Sequence, residues 1–140
     1  MKDSPNALEL IGPEPLGPDH EYVLKHFFGK SQEEARDFYE GRTHYITEDF
    51  MWMAPAGLRY YLPPFLDYLK SETGKHDKEV ANILGALSTR VQETPQLPQD
   101  VLQTAKEICA YIKQHCKRFD ISPNDQDFKI VESAKLTAKD

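Results

Sequence analysis

The chain is 140 residues long, enough for one domain with a sizeable core and no need of covalent staples. Its apolar fraction is 39% and its charged fraction 29%, and seven Phe, seven Tyr and one Trp exclude a wholly disordered polymer. With 23 acidic against 17 basic residues the formal net charge is −6, so the averaged field repels phosphate backbones and anionic lipid, and neither nucleic acid nor a membrane is an expected partner.

No segment approaches the roughly 18 apolar residues of a membrane helix. The start of the chain, from Met1 to Pro13, lacks a basic region followed by an uninterrupted apolar run, so no signal peptide is expected. Cys109 and Cys116 lie seven positions apart, about 10 Å along the axis of a helix. That is too far for an intrahelical disulfide, and a reduced, cytoplasmic protein is the simplest reading.

Residues 1–18 carry Pro5, Pro13, Pro15 and Pro18 with Gly12 and Gly17, a density of helix breakers that predicts an extended lead-in. Tyr22, Val23, His26 and Phe27 then share one face of a helix over about 19–28. Ser31 followed by Glu34 has the capping-box pattern, which opens a second helix running to about 40 and stopping at Gly41. Thr43 to Ile46 alternates weakly and reads as a short extended segment. Thr47 is the expected N-cap of the next short helix, with Ile46 and Met51 spaced as a hydrophobic staple, and Phe50, Met51, Trp52 and Met53 packed on it.

From Pro55, Leu58, Leu62, Phe65, Leu66 and Leu69 recur as an apolar stripe. Pro63 and Pro64 interrupt it: neither has a backbone donor, so in a continuous helix the carbonyls of Arg59 and Tyr60 lose their partners. A break near Leu62 is therefore expected, with Pro63 opening a second helix to about Lys70. Val80, Ile83, Leu84, Leu87 and Val91 predict a helix over about 77–91, with Gly85 allowing close packing. Val101, Leu102, Ala105, Ile108, Cys109, Ile112 and Cys116 form the longest clean stripe, over about 98–118. After Phe119 an acidic, turn-forming loop follows; Phe128 to Val131 is either a short strand or the start of a helix, and the last residues read as loose.

The segment GlyLeuArgTyrTyrLeuProProPheLeuAspTyrLeu, Gly57 to Leu69, and the earlier PheTyrGluGlyArgThrHisTyr, Phe38 to Tyr45, resemble the hallmarks of a family of small, mostly bacterial proteins of unknown function. Members carry a SerProGluAlaPheArgTyrTyrLeuProAlaPheLeu-like segment, and the similarity covers residues from about 27 to 92. This chain departs from the pattern at Ala54, where the family often has a polar capping residue, and at Ala56, where Glu is usual. The resemblance implies a mainly helical domain and no particular catalysis.

The candidate binding residues are Trp52, Arg59, Tyr60, Tyr61 and His44. On an unbroken wheel Arg59 and Tyr60 point away from the stripe, which suggests a shallow patch of an exposed aromatic beside a cation and the freed carbonyls. The alternative is that Arg59 and the tyrosine hydroxyls tie neighbouring helix ends together. His20, His26, His44, His76 and His115 show no metal-ligand spacing, and no metal is assigned. Cys109 lies within an apolar stripe and reads as a small buried hydrophobe rather than a nucleophile, and Cys116 likewise. Glu33 with Glu34 and Glu48 with Asp49 suit helix starts. There is no nucleophile elbow, phosphate loop or dinucleotide fingerprint, so neither a catalytic residue nor a cofactor is assigned.

These features predict a single compact, mainly α domain of about five to six helices around a proline-broken central helix, with one short extended segment. The lead-in is 1–18, the helical domain 19–119, and an acidic loop and loosely ordered tail 120–140. The expected function is a non-catalytic cytoplasmic interaction or accessory module, binding another protein or a second copy of itself through an aromatic surface around Trp52, Arg59 and Tyr60. The rival is a small-molecule binder or minor enzyme with a pocket at the Leu62–Pro64 break, using Tyr60, Tyr61 and His44.

Overall fold

A computed structural model describes residues 4–13, 17–93 and 97–134. Among them the fold is mainly α: α1 (Ala7–Ile11), α2 (Pro18–Phe27), α3 (Gln32–Tyr39), α4 (Thr43–Trp52), α5 (Pro55–Leu69), a 3-10 turn at Gly74–His76, α6 (Val80–Gln92), α7 (Gln99–Gln114), α8 (Cys116–Phe119) and α9 (Gln126–Ser133). α5 is the central element, packed by α1, α3 and α7, while α4 lies between α2 and α6, and α9 closes over α6 and α7. The helices form one continuous apolar core in which Phe27, Tyr39, Phe50, Tyr61 and Phe65 meet mostly edge to face or tilted, with Phe27 and Phe50 stacked.

The expected break at Leu62 is not there: α5 runs from Pro55 to Leu69 with both prolines inside it. A side chain from outside the helix supplies one of the missing donors. Gln32 of α3 donates its side-chain amide to the Tyr60 carbonyl at 2.8 Å, replacing the donor that Pro64 lacks. At the adjacent residue, the Tyr39 hydroxyl adds a bond to the Tyr61 carbonyl at 2.6 Å. α3 thus runs along the proline turn as a strap, positioned by the Ser31–Glu34 capping box, which forms as the sequence predicts.

The lead-in is also more ordered than its prolines suggest. α1 starts on a second capping box, Asn6 with Glu9, and buries Leu10 completely. The Leu10 carbonyl accepts from the Ala54 amide at 2.8 Å, just ahead of α5. Gly57 permits this approach: a Cβ there would stand 2.9 Å from the Leu10 side chain and 2.6 Å from that of Met53. Four other readings change. Thr43 to Ile46 is not extended but forms the first turn of α4. Thr47 is an interior residue rather than an N-cap, its hydroxyl donating to the Thr43 carbonyl at 2.8 Å. The long helix of 98–118 divides at His115, whose backbone (φ −125°, ψ 33°) separates α7 from α8. Residues 126–133 are helical and contribute Phe128 and Val131 to the core, so the body of the domain extends past 119; residues 135–140 lie outside the described residues.

Arg90 fixes the far end of α4, which has no basic residue in its own last turn. From α6 its guanidinium donates to the carbonyls of Phe50 and Met53 at 2.7 Å each, and its Nε stands 3.1 Å from Glu93. The side chain is 11% exposed, so these carbonyls have little water to turn to if it is removed. Arg90→Met is expected to cost about 2–3 kcal/mol in urea unfolding, as loss of a buried charged donor does. Arg59→Ala, which breaks an exposed ion pair, is expected to cost less than about 1 kcal/mol, and equal losses in the two variants would contradict this picture.

Candidate functional site

α2 and α4 each present a polar and aromatic stripe at helical spacing. Asp19, Tyr22 and His26 follow one another along α2, and His44, Tyr45, Glu48, Asp49 and Trp52 along α4. The two helices pack together, and the stripes line a groove of about 500 Å³. Its rim is aromatic and open: Tyr22 is 55% exposed, Tyr45 58% and Trp52 43%. His44 stacks tilted on Tyr45 with ring centroids 4.0 Å apart, and Trp52 meets His20 edge to face at 5.6 Å.

The groove's deepest feature is a carboxylate–imidazole pair. Asp49 Oδ2 lies 2.6 Å from His26 Nδ1, with Asp49 3% and His26 22% exposed. Tyr22 stacks with the His26 ring and Phe38 tilts against it, at 6.0 and 5.4 Å. Burial pushes the Asp49 carboxyl above its ordinary range and Glu48 adds to this, while the bond to His26 opposes it. Among the described residues, those lining the groove include three carboxylates and no lysine or arginine. The side-chain hydroxyls among these lining residues are those of Tyr22 and Tyr45.

The other sequence candidates are placed differently. Trp52 and His44 belong to this groove, but Arg59, Tyr60 and Tyr61 do not line it. Tyr60 is buried, not exposed as the single stripe suggested, because α5 is covered on several sides. Tyr61 is fully buried, its hydroxyl 2.8 Å from the Phe27 carbonyl and 2.7 Å from that of Lys30, where it serves the end of α2. Burial raises its pKa, and that of Tyr39, above the usual phenol range. Arg59 pairs with Asp100 at the start of α7, at 2.5 Å. These residues tie helix ends together, and Leu62 and Pro64, where a pocket is expected, are themselves buried within the continuous α5.

A larger opening of about 830 Å³ lies beside α8, lined by Lys113, His115, Cys116, Lys117 and Arg118 among others. Its basic groups are partly engaged in structure: Lys113 pairs with Glu132 at 2.9 Å, and Arg118 donates to the Tyr111 hydroxyl at 2.7 Å and covers the Phe119 ring. Cys109 and Cys116 are both buried and unpaired with each other. Among the described residues no group of three or more His, Cys, Asp or Glu is placed to hold a metal ion, and no helix is long and apolar enough to cross a membrane. Comparison with known protein families, curated proteins and solved structures finds no match to this chain.

The His26–Asp49 pair has no local signature, because its partners lie 23 positions apart on different helices; the α4 stripe is hidden as well when Thr43 to Ile46 is taken as extended, since that removes His44 and Tyr45 from the helix of Glu48, Asp49 and Trp52. The i, i+4, i+8 spacing of His44, Glu48 and Trp52 was the available signal.

Two outcomes follow from these environments. The stability that protonated Asp49 contributes is complete below the ordinary carboxyl range and is lost as pH rises through its raised value. Urea midpoints measured between about pH 4 and pH 6 are therefore expected to shift in favour of Asp49→Asn relative to the parent as pH rises. The Cys109 thiol, pushed up to about 12 by burial, is expected to resist iodoacetamide in the native protein near pH 8 and to react in urea, as followed by intact mass.

Proposed function

We propose that this protein is a non-catalytic interaction module, at work in the cytoplasm, that holds another protein through the groove between α2 and α4. The observation that carries this is the group of three large aromatic side chains, Tyr22, Tyr45 and Trp52, left open beside one concave surface of a chain whose other aromatics are mostly packed inside. Exposed Tyr and Trp around a pocket are the residues that anchor protein interfaces, since they supply large contact areas with few rotors to order. The binding surface of this reading contains Trp52 and His44 but replaces Arg59, Tyr60 and Tyr61 with Tyr22, Tyr45 and the His26–Asp49 pair.

A small-molecule site in the same groove is the second reading. It is favoured by the buried His26–Asp49 pair, a preoriented polar group at the base of an aromatic-lined concavity.

The module reading is tested by capture of partners from the cell's own extract with the parent, with Trp52→Ala/Tyr45→Ala, and with Arg59→Ala/Asp100→Ala. The groove variant is expected to lose the captured partner while keeping its thermal midpoint within a few degrees, and the ion-pair variant to retain it. Capture that survives the groove variant and fails with the ion-pair variant would move the surface to α5. Sedimentation of the parent alone, sensitive to the groove substitutions, would make the partner a second copy of this chain.

A further inference from the structure

We infer that the partner's anchor in the α2–α4 groove is an arginine side chain carried on a basic segment of a protein; this rests on the groove being the partner-binding site. The lining selects charge first. Asp19 and Glu48 stand exposed on either side, Asp49 lies beneath them, and among the described residues no lysine or arginine lining the groove offsets them. An anionic ligand is repelled there. An uncharged apolar one would strip water from Asp19 and Glu48 and return nothing, whereas a cation replaces that water with its own attraction. His26 is already engaged with Asp49, so it does not act as a free counter-charge to the two rim carboxylates.

The aromatic groups then select the kind of cation. Tyr22, Tyr45 and Trp52 present ring surface beside the carboxylates, and a ring face attracts a cation through its quadrupole, tryptophan most strongly. A guanidinium answers both features at once. Its plane stacks on an aromatic face while its edge donates two parallel hydrogen bonds to a carboxylate such as Glu48, which the compact and more strongly hydrated ammonium of lysine does less well. The source is a protein segment rather than a free organic cation because the three aromatics are each open over a large part of their surface. A small cation in the groove leaves that surface wet, while a chain crossing the rim covers it. The charge of the whole molecule, −6, adds long-range attraction for such a segment.

Trp52 is the one tryptophan of the chain, so its emission reports on the groove directly. The full-length protein is titrated with the peptide Gly-Ser-Arg-Arg-Gly-Ser-Gly, with the same peptide carrying lysine or the neutral isostere citrulline in place of arginine, and with tetramethylammonium ion. The arginine peptide is expected to change Trp52 emission saturably, to weaken as salt is raised, and to bind about tenfold or more tighter than the citrulline peptide. Asp19→Asn/Glu48→Gln, both at exposed positions and both retaining Trp52, is expected to weaken it by about tenfold.

Equal binding of the citrulline peptide, no loss in the carboxylate variant, or no binding of any peptide overturns the inference. Saturation by tetramethylammonium at the same or lower concentration overturns the protein segment in favour of a free organic cation. If the peptides fail while partner capture still depends on Trp52 and Tyr45, the cationic anchor is lost and the groove stands. If capture too is indifferent to those residues, both readings fall.

Discussion

Two prolines in the middle of α5 leave the Arg59 and Tyr60 carbonyls without their helical donors, and much of the core follows from how that helix is nevertheless kept whole. Gln32 takes the Tyr60 carbonyl, and the Tyr39 hydroxyl reaches the next one along. Both donors come from α3, so α3 must lie along this turn and no other. Tyr61, on the opposite side of the same turn, then reaches the carbonyls at the end of α2. The proline turn is thus crossed by side-chain bonds, one of them replacing a missing helical donor, that fix α2, α3 and α5 relative to one another.

The position of α2 in turn decides the groove. With Phe27 packed among Tyr61, Tyr39 and Phe50, the polar face of α2 turns toward α4 and carries His26 onto Asp49. α4 is held independently at its far end by Arg90 and along its length by α6. The groove therefore sits between two helices that are each anchored to the core by residues outside it. Side chains held in this way are in place before anything binds, which is what the proposed recognition surface requires.

The same packing removes Tyr60 and Tyr61 from the surface. A helix enclosed by α1, α3 and α7 buries faces that a single apolar stripe would leave in water, and the residues most conspicuous in the sequence become the most structural. The exposed aromatics of the groove, Tyr22, Tyr45 and Trp52, are less conspicuous because they come from two helices and share no motif.

The sequence by itself determined the helical class, the capping box at Ser31 and Glu34, the positions of the periodic helices near α2, α3, α6 and α7, and the burial of Cys109, because these depend on spacing and on bonds between residues a few positions apart. It did not reveal α1, whose proline-rich surroundings concealed a capping box that opens at Asn6, four positions before the buried Leu10, nor α9, whose short apolar run fits strand and helix equally well. Only the tertiary structure decided whether α5 breaks. Local rules count the donor that Pro64 lacks, and nothing local discloses that Gln32, 28 positions earlier, replaces it. The groove was settled in the same way: its two stripes are readable on α2 and α4 separately, but the pairing of His26 with Asp49, 23 positions apart, exists only once the core has brought those helices together.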